Sequence, residues 1–360
     1  VPVSALDSIG PAFQHTRQQL LQPFRISQWA KLALVGFLAG ELTSGGCSTS
    51  FNVPTHSTPT GSDRLLALPQ LPPLNPALYA ALIASVIVAV VVLWVLFIYV
   101  SSVMRFVLFD SVIAKYCEIR QSWHRRQGPG MRLFGWEIAV SLCTFALLGI
   151  VIGIPLAVAF AAGWFKNSGA HLALLILFGM FLFLVAAGVV LIALLVHVFT
   201  KDFVVPQMAL EEISALQGWR RLLPMIKAQK GSYAGYVGMK FLMTLGAAVM
   251  VGIVSTIVII VMLIPVGGIG AAIVLGGKAV GLTWNLYTIT LAVVAGAILL
   301  LLVLYAISFV SVPTIVFFPA YSLYFFASRY PALHAVLYPA PPPEVPPIAP
   351  ALPPAPEPIG

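Results

Sequence analysis

The chain has 360 residues, 60% of them hydrophobic and only 8% charged, with a net charge of +8 and a mean hydropathy of +1.01. Soluble domains carry about 25% charge, so a water-soluble globular protein is excluded. The basic excess suggests a nucleic-acid partner only until the charges are placed; they fall on one face of a membrane, and no nucleic-acid partner is expected.

In chain order, residues 1–27 read as an amphipathic cytoplasmic segment, with Ile9, Phe13, Leu20 and Phe24 on one side. A six-span membrane domain covers residues 28–330. The spans lie at about Gln28–Thr43, Pro76–Met104, Trp136–Trp164, His171–Phe199, Ala234–Pro265 and Leu282–Val310. A span needs about 20 apolar residues, and in lipid a continuous apolar run satisfies its backbone only as a helix. Leu65–Met104, Ile138–Phe165, Asn167–Thr200, Phe241–Gly277 and Ala279–Ser328 contain no Asp, Glu, Lys or Arg. The first span is the shortest, because Lys31 and Glu41 confine it and both must snorkel for it to cross. A cleaved signal peptide is the competing reading, as Arg25 and Lys31 precede an apolar run. The long polar N-terminus weighs against it, as does Ser44-Gly45-Gly46-Cys47, which lacks the Leu of a lipoprotein cleavage box.

With the N-terminus inside, every Lys and Arg except Arg64, Lys166 and Lys278 falls on the inner face. That bias orients the chain in the cell membrane with both termini cytoplasmic. Cys47, Cys117 and Cys143 then lie outside, inside and within a span, so no pair can form a structural disulfide.

After each pair of spans comes a cytoplasmic segment with an apolar stripe, an arrangement repeated three times. In the first, Val112, Tyr116, Ile119 and Trp123 are spaced 4, 3 and 4 apart, with Glu118, Gln121 and Arg125 facing away. In the second, Met208, Leu216, Trp219, Leu223 and Ile226 form the stripe, mostly opposite Glu211, Gln217, Arg220 and Arg221. The third, Thr314–Ser328, is aromatic and nearly uncharged. A stripe with a basic flank predicts a helix lying in the interface plane. A short soluble helix packed on the spans is the alternative for the second segment. The expected contacts with anionic headgroups, or with a protein partner, are Arg120, Trp123, Arg125 and Arg126 in the first segment, and Trp219, Arg220 and Arg221 in the second.

The outside loop Ser44–Asn75, rich in Gly, Ser, Thr and Pro, reads as irregular. Residues 331–360 read as a disordered Pro-rich tail. Pro343-Glu344-Val345-Pro346 and Pro350-Ala351-Leu352-Pro353 fit polyproline II ligands, though a solvated tail is preferred.

Catalytic patterns fail on inspection. In Gly267–Gly281 the pair Gly277-Lys278 is followed by Ala279, where a phosphate loop needs Ser or Thr. The stretch reads instead as an outside loop or short re-entrant turn. Gly149 and Gly153 suggest a helix-packing contact. His171 and His197 are about 39 Å apart along a helix and cannot share a metal. His124 stands beside Arg125 and Arg126 as a headgroup contact. No cofactor, metal or catalytic residue is assigned, and a non-enzyme is expected. Charges at the inner span ends suggest the anchoring pairs Arg105–Asp110 and Lys201–Asp202, with Glu137 and Lys240 at similar depth. Asp110, Glu137, Asp202 and Glu211 are the acids that could still converge with His124 or His197.

Asp202-Phe203-Val204-Val205-Pro206-Gln207-Met208-Ala209-Leu210-Glu211, followed by Ala215-Leu216-Gln217-Gly218-Trp219-Arg220-Arg221, resembles a motif of bacterial multi-span proteins of unknown function. So does the opening: Ile9-Gly10-Pro11-Ala12-Phe13, Pro23-Phe24-Arg25, Trp29-Ala30-Lys31-Leu32, Gly45-Gly46 and Phe51-Asn52. More distantly, the chain is similar to the membrane domain attached to some glycerophosphodiester phosphodiesterases. The resemblance implies a membrane module and carries no hydrolase residue over. The reading is an all-α bundle of span pairs that organises lipids or partner proteins at the cytoplasmic face. A small-molecule or lipid transporter is the alternative, since span repeats are common in transporters, with Pro155 and Ser255-Thr256 as the only hints of broken spans. A lipid-modifying enzyme comes third.

Overall fold

The computed structural model describes residues 4–41, 76–164, 172–279 and 286–339, and every regular element among them is helical. In order these are α1 (Ile9–Leu21), α2 (Ile26–Leu38), α3 (Pro76–Ala114), α4 (Ile119–Ala161) and α5 (Leu172–Phe199). A π-helical stretch (Thr200–Val204) leads into α6 (Val205–Glu211), and α7 (Ala215–Ala228), α8 (Lys230–Ala279), α9 (Leu286–Val310), α10 (Val312–Ala327) and α11 (Pro331–Leu337) follow. Among the described residues, five stretches are long and apolar enough to cross a bilayer: Ile83–Ala114, Ile119–Ala161, Ala173–Glu211, Lys230–Ile264 and Thr290–Val310. The chain is a multi-pass α-helical membrane protein.

The first predicted span departs from this pattern. Its residues form α2, 13 residues long, which at 1.5 Å per residue is about 20 Å, short of a hydrocarbon core of about 30 Å. Leu32, Ala33, Val35 and Gly36 are buried against other helices. Gln28 Nε2 donates to the Lys115 carbonyl (3.0 Å), and the Ala39 carbonyl accepts from Ser101 Oγ (3.1 Å). α2 therefore lies beside the last turns of α3. Tyr305 Oη and Ser308 Oγ of α9 donate to the Ala30 and Ala33 carbonyls at 3.2 and 2.6 Å. A Cβ on Gly36 would stand 2.5 Å from Ile315 Cδ1, so only glycine permits the approach of α10.

The interfacial segments also fold differently. The first is cut at Lys115, which takes φ +56°, so Val112 ends α3 while Ile119 and Trp123 open α4. The second is cut at Glu212, also at φ +56°. Before the cut, α6 is buried from Val205 to Ala209; after it, α7 buries Ala215, Gly218 and Leu222 and exposes Leu216 and Leu223. Ser214 and Gln217 close a reciprocal cap on α7 (3.4 and 3.1 Å), the arrangement that starts a helix cleanly. The third segment, α10, is a core helix, with Tyr321, Phe325 and Phe326 fully enclosed. In α1 the buried face is Ala12, His15, Thr16, Gln19 and Leu20, while Phe13 and Phe24 of the predicted stripe are 63% and 56% exposed.

Other expectations shift too. Gly267–Gly277 continues α8 instead of forming a loop or turn. Among the described residues nothing lies within 4 Å of a Cβ built on Gly149 or Gly153, so neither packs a neighbouring described helix. The segment read as the start of the tail is α11, which buries Leu333 against α10 and α6. The loop 44–75, Cys47, His171 and the tail from 340 lie outside the described residues.

The core gathers at one end of the spans. It joins α1, α2, the last turns of α3, the first turns of α4 and α8, the π-helical stretch, α6, α7, α10 and α11. Phe203, Tyr236, Phe325 and Phe326 form its aromatic centre, with Phe203 5.1 Å from Tyr236 and 5.2 Å from Phe326, and Tyr236 4.6 Å from Phe325. By contrast, no more than 11% of any spanning window is buried inside the chain. In water, apolar burial drives packing; between lipid tails, which are as apolar as Leu, it does not. The spans are therefore packed most closely where they leave the hydrocarbon, although α3 and α4 also touch within it through Trp94 and Phe145.

Candidate functional site

Where the spans enter this core, ionisable side chains from six segments share one depth. Arg105 lies on α3, Glu137 on α4, His197 on α5, Lys201 and Asp202 in the π-helical stretch, and Lys240 on α8; Glu41 follows α2. The π-helical stretch has a local cause. Pro206 carries no N–H for the carbonyl four residues back, at Asp202, and its ring crowds that carbonyl. The widened turn keeps Asp202 buried, where it accepts from Tyr236 Oη (2.9 Å) and pairs with Lys240.

The pairs are not those expected from sequence neighbours. Arg105 pairs with Glu137 and not with Asp110; Lys201 pairs with Glu41 and not with Asp202. Asp110 instead holds Arg126 through two bonds, at 2.8 and 2.6 Å. Residues one or five apart point to different sides of a helix, whereas three or four apart share a face. The real partners come from other helices.

At the edge of this layer, α2, α3, α4 and α5 enclose a cavity of about 450 Å³. Its walls are Phe37, Trp94, Phe97, Ile98, Val140 and Val196, and its polar lining is Ser101, Arg105, Glu137, Ser141, His197 and Thr200. Ser102 Oγ donates to Glu137 Oε2 at 3.1 Å. Arg105 Nη2 lies 3.3 Å from His197 Nε2; a guanidinium only donates, so this nitrogen accepts. Thr200 Oγ1 accepts from the Trp136 and Trp219 indoles at 3.3 and 3.0 Å and donates to the Val196 carbonyl at 2.7 Å. Those bonds hold α4, α5 and α7 at fixed spacing around the cavity. Trp94 and Phe97 border it and remain 41% and 47% exposed.

The predicted contact residues are distributed elsewhere. Arg120, His124 and Arg125 are exposed on the first turns of α4, and Trp123 is half-buried, edge-on to Tyr99 at 6.4 Å. Arg126 is a correction. It is 5% exposed, and besides Asp110 it donates to the Ala209 carbonyl at 2.7 Å, so it ties α3, α4 and α6 together and faces no headgroup. Arg220 is exposed, and Arg221 pairs with Glu211, which also accepts from Tyr330 Oη. Trp219 faces inward, stacked obliquely on Trp136 at 6.4 Å. Of the acids that could converge with a histidine, only Glu137 reaches one, sharing the cavity with His197 through Arg105. Among the described residues, no group of three or more His, Cys, Asp or Glu is placed to hold a metal ion. Sequence reasoning noted the charges of the layer as helix-end anchors but missed the cavity. The signal was their common depth next to the uncharged stretches.

A family model described as a family of unknown function, DUF7544, matches residues 3–336. No curated protein and no solved structure is significantly similar to the chain.

Proposed function

The chain belongs to the DUF7544 family of unknown function, and we propose that it is a non-enzymatic membrane module that organises lipids at the cytoplasmic face of the cell membrane. The supporting observation is the surface of the packed end. Arg17, Arg25, Lys31, Arg120, Arg125, Arg220, Lys227 and Lys230 are all exposed there, next to spans whose apolar windows are left to lipid. A Lys or Arg close to an anionic leaflet contributes about 1 kcal/mol, so such a surface gathers anionic lipid around the chain. The positive-inside bias makes this face cytoplasmic. Non-catalytic chemistry is supported by how the acids are used. Glu41, Asp110, Glu137, Asp202 and Glu211 each accept from a cationic side chain, so each is engaged in an ion pair between elements of the fold.

The test is energy transfer from the tryptophans of the reconstituted chain to labelled lipids, in phosphatidylcholine vesicles holding a minority of phosphatidylglycerol. Labelled phosphatidylglycerol is expected to be enriched around the wild type. High salt should abolish the enrichment, and the combined change Arg120→Gln, Arg125→Gln and Arg220→Gln should reduce it. Equal transfer to both lipids in the wild type would show that these charges serve topology alone. A transporter is the second reading, favoured by the cavity, and directional flux in sealed proteoliposomes would establish it.

A further inference from the structure

We propose that the cavity between α2, α3, α4 and α5 binds one zwitterionic phospholipid with a primary ammonium headgroup, of the phosphatidylethanolamine class. Depth is the first argument. The Arg105–Glu137 pair stands where the uncharged stretches of α3 and α4 end, which is the level of headgroups and glycerol in the adjoining leaflet. The walls above it are apolar and continue into the outward faces of α3 and α4, where Val90, Leu93, Leu142 and Phe145 are exposed for acyl chains to follow. A size of about 450 Å³ falls in the range of small-molecule sites, about 300–1,000 Å³.

Charge selects the headgroup. The floor holds one guanidinium and one carboxylate side by side, with His197 accepting from the guanidinium. An anionic phosphodiester alone is drawn to Arg105 and repelled by Glu137. A zwitterion satisfies both, its phosphate towards Arg105 and its ammonium towards Glu137. Hydrogen bonding then separates two zwitterions. Among the described residues Glu137 Oε1 has Arg105 and Oε2 has the Ser102 hydroxyl, whose single proton is shared with the Ile98 carbonyl at 2.8 Å, and a carboxylate oxygen accepts two bonds. A primary ammonium supplies N–H donors for the remaining positions, and a trimethylammonium supplies none. The cavity thus adds a selective site to the basic surface proposed above, through different residues and for a different lipid.

The experiment reconstitutes the full chain in vesicles of equal parts phosphatidylethanolamine, phosphatidylcholine and phosphatidylglycerol, extracts it in mild detergent and identifies retained lipid by native mass spectrometry. One phosphatidylethanolamine per chain is expected, preferred about tenfold over either competitor, equivalent to about 1.4 kcal/mol. Glu137→Gln should erase the preference over phosphatidylcholine. Ser141→Leu pushes an apolar side chain into the cavity and leaves the ion pair intact, so it should weaken retention of the bound lipid while keeping the helical circular-dichroism signal. If Glu137→Gln does not fold, Ser141→Leu decides. Undiminished retention of phosphatidylethanolamine by Ser141→Leu, or equal retention of all three lipids by the wild type, overturns the assignment. Phosphatidylglycerol dominating, with salt-sensitive retention, overturns it while supporting the basic-surface reading. Failure of phosphatidylglycerol enrichment in the energy-transfer assay leaves the cavity result standing by itself.

Discussion

Arg125 and Arg126 are neighbours in sequence and opposites in environment. Arg125 is solvated on the first turns of α4, whereas Arg126 is buried with three hydrogen bonds, two to Asp110 and one to the Ala209 carbonyl. A charge taken out of water is tolerated only while its partners remain, so removing one partner of such a pair costs about 3–5 kcal/mol. An exposed charge away from such contacts changes stability by about 0.5 kcal/mol or less. Arg126→Ala should therefore markedly lower the thermal midpoint in detergent, and Arg125→Ala and Arg120→Ala should barely move it. Comparable shifts from Arg125→Ala and Arg126→Ala would contradict the buried pairing.

At the scale of elements, α1 shows how a polar face can be the packed one. The last carbonyls of a helix have no partners within it. At the end of α3 they are taken by side chains of the N-terminal segment: His15 Nε2 with Val112 (2.8 Å), Gln19 Nε2 with Ser111 (2.9 Å) and Gln28 Nε2 with Lys115 (3.0 Å). A carbonyl only accepts, so His15 Nε2 carries the proton and Nδ1 accepts from Tyr324 Oη at 3.1 Å. Burial, with a smaller contribution from Lys115, holds the His15 pKa below its ordinary 6.5. The unfolded chain then takes up a proton more readily than the folded one. His15's contribution to stability is complete above about pH 6.5 and declines as the pH falls below it. The gap in thermal midpoint between wild type and His15→Gln should narrow below that pH. A gap that stays constant across the acid range would mean that His15 is not held neutral by the fold.

For the whole molecule, the contacts of α1 with α10 bring the first helix and the segment after the last span to the same end of the bundle. With the positive-inside bias, that end is expected to be cytoplasmic. In a background with Cys47, Cys117 and Cys143 replaced, Ser57→Cys should react with an impermeant maleimide on intact cells. Gln121→Cys and Gln217→Cys, both at exposed positions of the packed end, should react only after permeabilisation. Labelling of Gln217→Cys from outside would invert the arrangement.

The membrane class, five of the six span positions and the depth of the charges were legible in the sequence, because a bilayer imposes one dominant rule. Uncharged stretches such as Ile138–Phe165 must be helices, and charges must sit at their ends. The breaks at Lys115 and Glu212 were hidden, since neither carries the glycine that usually marks a left-handed residue. The fate of α2 was hidden as well. An apolar run between Lys31 and Glu41 reads alike whether lipid or other helices cover it, and only the contacts from Ser101, Ser308 and Ile315 distinguish the two. The pairing of Arg105 with Glu137, and the cavity beside it, belong to tertiary structure alone. Sequence places a charge at a depth along its own helix, whereas its partner depends on how separate helices are rotated and packed against each other.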